Sequence, residues 1–370
     1  MKICIIGAGN MGLVMAGAIA VQGKHEVVIY TNKIVPSDFC FEDCENDKTY
    51  KNLEIKCMSD LGQAVDKADY IFCTYPAFLR NKFVAECNNY VKAGTKLGFI
   101  PGYGGAEYAC KDMIDRGVIV FGLQRVPYIA RQEQRKTAHL WSRKKELFVG
   151  SIPKKYTSDI CNDLEELLSI PCSPVEEYLS VTLTPTNPLI HLSGLYIDFK
   201  DYHEGEYYDR QLMFYDEWND ETSKILIDYD EELQRICNNI DNLDLHEVMS
   251  LKDYYESHTV EAMTKKLKSI EAFKVVKVPL VCKDNKYYPD WNNRMFTEDF
   301  PFGIAVIKYF AVLTETKVPT IDKILKFYKE KTGICYFNDD DSFGKDIENT
   351  GVPALYGLDT LEKITDFYKQ

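Results

Sequence analysis

Three glycines near the beginning of the chain restrict its fold more than any other feature. Gly7, Gly9 and Gly12 follow the apolar run 3–6, which is typical of a buried strand, and they precede an apolar helical pattern over 13–22. At a strand-to-helix turn this spacing lets the chain turn tightly, lets the backbone approach a pyrophosphate and lets the helix pack against the strand. The helix N-terminus supplies free N–H groups and a positive dipole end. The motif therefore indicates a dinucleotide site rather than a purely structural turn.

The residues after a second strand pattern, 25–30, bear on which dinucleotide is bound. An acidic side chain about twenty residues past the glycines usually holds the ribose 2′-hydroxyl of NAD. This chain has Thr31, Asn32 and Lys33 there instead. They offer a hydroxyl, an amide and an ammonium group to a 2′-phosphate. We therefore favour NADP(H) as the cofactor, with NAD(H) also possible.

Short apolar strands alternate with helical patterns through the first half of the chain. Further strands are predicted at 55–57, 70–74, 96–100, 118–121 and 147–149, and helices at 61–68, 77–91, 106–116 and 155–168. This alternation is typical of a doubly wound parallel sheet, the Rossmann fold, whose ligands bind at the C-terminal ends of strands. Tyr75 and Pro76 lie at one such end. The expected cofactor contacts are Gly7, Gly9, Asn10, Met11, Gly12, Thr31, Asn32, Lys33, Tyr75 and Pro76.

Strand patterns nearly vanish after the segment 169–174, which carries two prolines. Helical spacing of apolar residues is found at 189–199, 211–218, 221–238, 259–267, 302–314, 321–330 and 360–368. We therefore predict an α/β protein with two domains: a dinucleotide-binding Rossmann domain at 1–174 and an all-α substrate and catalytic domain at 175–370.

Composition excludes several classes of protein. The net charge is −13, and most of the negative charge lies in the second half, so nucleic acid is not expected as a partner. No apolar run is long enough for a membrane span. The twelve cysteines form no Cys-x-x-Cys pair, and together with the missing leader pattern they indicate a cytoplasmic protein. Cys40 and Cys44 could form half of a metal site, but without a supporting histidine we interpret them as loop thiols, and no metal is expected.

One of the six histidines lies in a distinctive context. In the segment 186–191, Asn187 is predicted to cap a helix whose first residue is Pro188, which places His191 in the first helical turn after the domain boundary. A histidine there can act as a general acid or base. The alternative is a core histidine that is hydrogen-bonded to the backbone.

A second local pattern, 294–303, leads into another apolar helix. Asp299 stands directly before Phe300 and Pro301, as a capping residue would, and its carboxylate could orient His191 as in other histidine–acid pairs. Arg294 lies five residues earlier, and arginine suits the binding of a substrate carboxylate. A capping aspartate beside a surface arginine is the simpler interpretation.

Taken together, these segments resemble the opine dehydrogenase family, the octopine and nopaline dehydrogenases. The resemblance covers nearly the whole chain, and its specific parts are Asn-Pro-x-x-His at 187–191 and Arg-x-x-x-x-Asp-x-Pro-x-Gly at 294–303. It implies a Rossmann domain joined to a helical domain, with His191 as the general acid/base, Asp299 as its partner, and Arg294 and Asn187 at the substrate. It also implies that an α-keto acid and an amino acid are the substrates. Thr31-Asn32-Lys33 departs from the acidic ribose ligand of NAD-specific members.

We therefore expect an NAD(P)H-dependent enzyme that reduces the imine of an α-keto acid and an amino acid. One alternative is a dehydrogenase of the hydroxy-acid or ketopantoate reductase type, which would need no amine. Another is a dinucleotide sensor without catalytic activity. The sequence does not reveal the two substrates or the oligomeric state.

Overall fold

A computed structural model describes residues 1–370. The chain folds into two compact units. The first consists of Met1–Thr184 with Thr365–Gln370, and the second consists of Pro185–Ile364.

The first unit contains twelve strands and seven helices. The strands are β1 (Lys2–Ile6), β2 (Glu26–Tyr30), β3 (Cys40–Asp43), β4 (Lys48–Lys51), β5 (Ile55–Met58), β6 (Tyr70–Cys73), β7 (Lys96–Phe99), β8 (Ile119–Leu123), β9 (Tyr128–Glu133), β10 (Thr137–Arg143), β11 (Leu147–Ile152) and β12 (Cys172–Pro174). The helices are α1 (Asn10–Ala20), α2 (Leu61–Val65), α3 (Ala77–Cys87), α4 (Ala106–Ala109), α5 (Lys111–Asp115), α6 (Thr157–Leu168) and α7 (Leu179–Thr182).

Eight of these strands form the main sheet, in the order β12-β11-β8-β7-β6-β1-β2-β5. Neighbouring strands are parallel except for β11, which runs antiparallel to β8. The central strands are apolar throughout: β6 and β8 are wholly buried and β1 is buried from Ile3 to Ile6. Strands that are apolar on both faces require cover on both faces, which the connecting helices provide. The predicted doubly wound parallel sheet is confirmed.

A second sheet, with strand order β4-β3-β10-β9, was not predicted. Strands β9 and β10 form a hairpin in the stretch that the sequence shows as basic, and β10 pairs in parallel with β3. The sheet packs on α1, where a Cβ on Gly17 would lie 2.5 Å from the ring of Phe41. Gly17 therefore creates the space that Phe41 fills. The alternation of buried and open residues in β10 is the strand signal, and it is lost after Leu140, where the register with β9 shifts.

This second sheet corrects part of the interpretation of Cys40 and Cys44 as loop thiols without a histidine nearby. Cys44 does lie in the turn after β3, but its thiol is grouped with Glu42 and His139. Cys40 is buried at the start of β3, and His139 on β10 lies opposite Glu42 in the parallel register. The Nδ1 of His139 is 2.9 Å from the Glu42 carboxylate, so this contact is a histidine–carboxylate pair. The pairing of β3 with β10 brings these residues together across a long sequence separation.

The boundary between the two units comes after Thr184, whereas the sequence placed it after residue 174. The intervening segment packs on the main sheet at positions without side chains. A Cβ on Gly102 would lie 2.4 Å from a Val181 methyl, and a Cβ on Gly122 would lie 2.5 Å from the Tyr178 hydroxyl. The segment 175–184 therefore belongs with the first unit.

The second unit is built mainly of helices. They are α8 (Thr186–Phe199), α9 (Asp220–Asn238), α10 (Leu251–Tyr254), α11 (Val260–Ser269), α12 (Arg294–Thr297), α13 (Ala305–Leu313), α14 (Pro319–Thr332) and α15 (Leu361–Tyr368). A hairpin of β13 (Leu280–Lys283) and β14 (Lys286–Pro289) is added to them. The last turn of α15 belongs to the first unit, in which the Tyr368 hydroxyl donates to Glu107 at 3.0 Å.

The helix predicted at 211–218 is wrong, because that segment forms an isolated β-bridge at Met213 followed by a turn. Its three aromatic residues form a cluster instead of a helical face. Tyr215 stacks on Phe273 with ring centroids 4.3 Å apart, and Phe214 and Trp218 pack against Tyr215.

No helix of the protein combines the length and the apolar composition that a membrane span needs.

Candidate active site

The glycine turn joins β1 to α1, and its three glycines have different surroundings. Gly7 has a φ of +106°, a conformation that side chains rarely adopt. A Cβ on Gly12 would lie 2.0 Å from the carbonyl oxygen of Gly7, so the helix approaches the turn more closely than any other residue would permit. A Cβ on Gly9 would meet no protein atom within 4 Å. Gly7 and Gly12 are thus required by the fold itself, whereas Gly9 borders open space.

The N-terminus of α1 is open to a ligand. Gly9 occupies the capping position, no side chain caps the helix, and the first turn carries no acidic residue. Asn10 is exposed and Met11 is half-buried. Free N–H groups and the positive end of the helix dipole therefore face outward, and these residues fit a dinucleotide pyrophosphate.

The segment after β6 packs directly on this turn. The Thr74 hydroxyl donates to the Ile6 carbonyl at 2.8 Å, and the ring of Tyr75 lies 3.1 Å from where a Cβ of Gly7 would be. Pro76 follows at the start of α3. Tyr75 and Pro76 therefore lie beside the glycine turn, as the order of strands in a doubly wound sheet predicts.

The residues after β2 keep their polar groups partly available. Thr31 is buried, and its hydroxyl accepts a hydrogen bond from the Lys33 N–H at 3.0 Å. Asn32 and Lys33 are exposed. Since the strand β2 pairs with β1, these side chains lie at the same sheet edge as the glycine turn.

In the second unit, the structure brings His191 and Asp299 together. Nδ1 of His191 lies 2.7 Å from Oδ2 of Asp299, although 108 positions separate them in the sequence. The imidazole packs edge-on against Phe214 at 5.9 Å. The histidine side chain is 17% exposed and the aspartate side chain is 5% exposed. A buried carboxylate therefore holds one ring nitrogen, while part of the imidazole reaches the surface.

A close approach between two segments makes this contact possible. Asp299 precedes a π-helical turn, Phe300–Ile304, which contains Gly303. A Cβ on Gly303 would lie 2.4 Å from the ring of Pro188, one turn before His191. The proline and the glycine of the two sequence patterns therefore allow α8 and the π-helical turn to approach each other, which explains why both belong to the patterns.

The surroundings of Asp299 shift the pKa of its carboxyl in both directions. Burial raises the pKa of its carboxyl, His191 and Arg294 lower the pKa, and the neighbouring Glu298 raises it. Asp299 does not cap a helix with its side chain, contrary to the interpretation as a capping residue. The carboxylate contacts the His191 imidazole instead.

Two predicted details of α8 are corrected. The helix begins at Thr186, so Asn187 lies within its first turn and does not cap it, and His191 falls in the second turn. The first N–H groups of a helix need no partner within it, so Pro188 is tolerated inside the first turn. The effect of the helix dipole on His191 is correspondingly weaker, because that effect fades beyond the first turn. Asn187 is exposed on the turn that precedes His191.

Arg294 begins α12, and its side chain is 68% exposed. Its Nε lies 3.5 Å from the buried Glu298 carboxylate. Glu298 and Phe214 were not identified from the sequence as parts of this site; Glu298 lies inside the 294–303 pattern, but at a position that the pattern leaves open. Phe214 belongs to the segment that was predicted to be a helix.

Comparisons with known proteins cover both halves of the chain. Residues 174–332 match the family model of the NAD/NADP octopine/nopaline dehydrogenase α-helical domain, and residues 2–100 match that of the N-terminus of NAD-dependent glycerol-3-phosphate dehydrogenase. The chain is 24% identical to the octopine dehydrogenase of Mizuhopecten yessoensis over 98% of each chain. It is 25% identical to the tauropine dehydrogenase of Arabella iricolor over 97% of this chain and 98% of the relative.

A solved structure has the same fold. Octopine dehydrogenase in complex with NADH and agmatine superposes with a TM-score of 0.87 at 22% identity, covering 100% of this chain and 99% of the other. The similarity therefore includes both units.

Proposed function

We propose that the chain is a member of the opine dehydrogenase family, and that it condenses an α-keto acid with the amino group of an amino acid and reduces the product with NAD(P)H. The keto acid and the amine lose water to form a C=N bond. A hydride then adds to the carbon and a proton to the nitrogen, which gives a secondary amine with a carboxylate on each side. The His191–Asp299 contact is the observation that carries this proposal.

The His191–Asp299 pair suits the proton transfers of this reaction. Condensation releases a proton from the amine and uses one to expel water, so a group that both accepts and donates protons is needed. Nδ1 of His191 faces Asp299, which leaves Nε2 for the substrate. The buried carboxylate stabilises the imidazolium form and fixes the ring orientation. His191 is thus proposed as the general acid/base and Asp299 as the residue that orients it.

The cofactor is proposed to bind the glycine turn through its pyrophosphate. Gly7, Gly9, Asn10, Met11 and Gly12 would hold it, with Tyr75 and Pro76 alongside, because this helix N-terminus is uncapped and open. When bound, the dihydronicotinamide supplies the hydride. The polar, non-acidic residues Thr31, Asn32 and Lys33 favour NADP(H) over NAD(H).

Arg294 and Asn187 are proposed as substrate ligands. The exposed guanidinium of Arg294 contacts Glu298 through Nε, so its two terminal nitrogens can bind both oxygens of a substrate carboxylate. Asn187 is exposed one helical turn before His191, where its amide can hold a polar group of the substrate.

The reaction is tested by combining a panel of α-keto acids with a panel of amino acids and following the absorbance of NADPH and of NADH. The proposal expects oxidation of the cofactor that requires both substrates. Oxidation by a keto acid alone would identify a hydroxy-acid dehydrogenase. Cofactor binding without turnover on any pair would identify a sensor.

The role of His191 is tested with His191→Ala. Turnover should fall by about 10²- to 10⁴-fold, the usual loss when a general acid/base is removed, while the dissociation constant of the cofactor stays unchanged. The control is His203→Ala, since His203 is an exposed histidine of the same unit. Unchanged turnover in His191→Ala would reject the assignment.

A further inference from the structure

The tip of the β9–β10 hairpin is fixed beside the segment that follows β2. The Cys40 N–H donates to the Lys136 carbonyl at 2.8 Å, and the Lys136 ammonium pairs with Asp38 at 2.8 Å. Both contacts continue the parallel pairing of β10 with β3, in which Thr137 lies opposite Cys40. The hairpin tip therefore forms one side of the loop that leaves the C-terminal end of β2.

Arg135 stands at this tip, and its side chain reaches back along that loop. Its Nε donates to the Ile34 carbonyl at 3.1 Å, across 101 positions of sequence. Its backbone N–H donates to the Gln132 side chain at 2.5 Å, which helps to hold the tight turn. A guanidinium has five N–H donors, and the Ile34 carbonyl uses one of them. The two terminal nitrogens have no hydrogen-bond partner within the protein.

Burial and the charges of Glu86 and Asp60 raise the pKa of Tyr30 at the end of β2, so acids also lie near this loop, and Glu86 is 3.9 Å from the Lys82 ammonium. Asp38 is neutralised by Lys136, and Asp60, which follows the neighbouring strand β5, accepts a hydrogen bond from the Gln63 N–H at 2.8 Å and caps α2. Lys33 is exposed on the same loop as Ile34. Lys33 and Arg135 thus provide two cations next to the last residues of β2.

We propose that Arg135, with Lys33, binds the 2′-phosphate of NADP(H) and gives the enzyme a preference for this cofactor over NAD(H). The inference rests on the proposed function, because it assumes that the cofactor lies on the glycine turn. In that position the ribose 2′ group lies at the end of β2. The 2′-phosphate is what distinguishes the two cofactors, and a guanidinium fork matches a phosphate in charge and in geometry.

The first test measures kcat/KM with NADPH and with NADH for wild type, Arg135→Ala and Lys33→Ala. Arg135→Ala should lower kcat/KM for NADPH by about 10- to 100-fold and leave the value for NADH within about twofold, since the lost contact involves only the phosphate. Lys33→Ala should lower kcat/KM for NADPH less than Arg135→Ala does, because an ammonium offers no bidentate contact. The charge-matched control is Arg116→Ala, because Arg116 also donates to backbone carbonyls but follows α5, on the far side of the sheet order from β2.

A binding measurement separates this inference from the proposed reaction. Titration with 2′,5′-ADP and with 5′-AMP should show that Arg135→Ala lowers the affinity for 2′,5′-ADP and leaves the affinity for 5′-AMP unchanged. This result would support the site even if no pair of substrates gave turnover. Equal losses for both nucleotides, or no loss for either, would overturn the inference, and so would a wild-type enzyme that prefers NADH.

Discussion

The proposed site of the first unit and that of the second unit are built in different ways. In the first unit the site is made of backbone: residues 7–12 form a turn whose N–H groups and open space require little from side chains. In the second unit it is made of side chains that meet across 108 positions, His191 and Asp299. A backbone site fails when a side chain is added, whereas a side-chain site fails when a functional group is removed. The two therefore call for opposite kinds of mutation.

The largest effect is expected from Asp299→Asn, which keeps the shape of the side chain but removes its charge. Without the carboxylate, the imidazolium form of His191 loses its stabilisation and the ring can take the wrong tautomer. We expect kcat to fall by about 10²- to 10⁴-fold, with the dissociation constant of NAD(P)H unchanged. Asp209→Asn is the control, since Asp209 is exposed in the same unit. A variant with full activity would show that the contact is only structural.

This contrast also determines what the sequence could reveal. The glycine turn was predicted in full, because its residues are adjacent in the chain and each glycine meets a local steric requirement. Nothing in the spacing of residues places His191 beside Asp299; the two local patterns and the resemblance to a family suggested the pair, and the packing of Pro188 on Gly303 explains it. Arg135 was not identified, since its position depends on the unpredicted pairing of β3 with β10. The buried and open residues of β10 alternate only as far as Leu140, and those of β3 do not alternate, so the strand signal of both was weak.

A second prediction compares two glycines within the backbone site. In Gly12→Ala the new Cβ would lie 2.0 Å from a backbone oxygen, so α1 must shift, and both stability and cofactor binding should be lost. In Gly9→Ala the Cβ meets no protein atom, so stability should change by less than about 1 kcal/mol. Cofactor affinity should nevertheless fall about tenfold or more, because the methyl group occupies the space proposed for the pyrophosphate. Thermal unfolding and fluorescence titration with NADPH measure the two effects. A Gly9→Ala protein that binds NADPH as tightly as wild type would place the cofactor elsewhere.

The smallest expected effect concerns Glu107, a buried acid of the first unit, which differs from the buried acid Asp299 of the second unit in its partners. Asp299 is paired with an imidazole, whereas Glu107 is buried with hydroxyl partners, Thr182 and Tyr368. Burial raises the pKa of Glu107 from 4.5 to about 7. Between these two values the native carboxyl keeps its proton while the unfolded one has lost it, so the stability present below pH 4.5 declines as the pH rises to about 7.

Glu107→Gln should remove this dependence, because an amide does not titrate. Relative to the variant, wild type should lose up to about 3 kcal/mol of unfolding free energy between pH 4.5 and pH 8, as expected for a shift of this size. Other buried acids, such as Asp230, titrate equally in both proteins, so their contributions cancel in the difference. Denaturant unfolding of wild type and Glu107→Gln at pH 5 and at pH 8 measures this difference in unfolding free energy. A difference that stays constant with pH would mean that folding does not raise the pKa of Glu107.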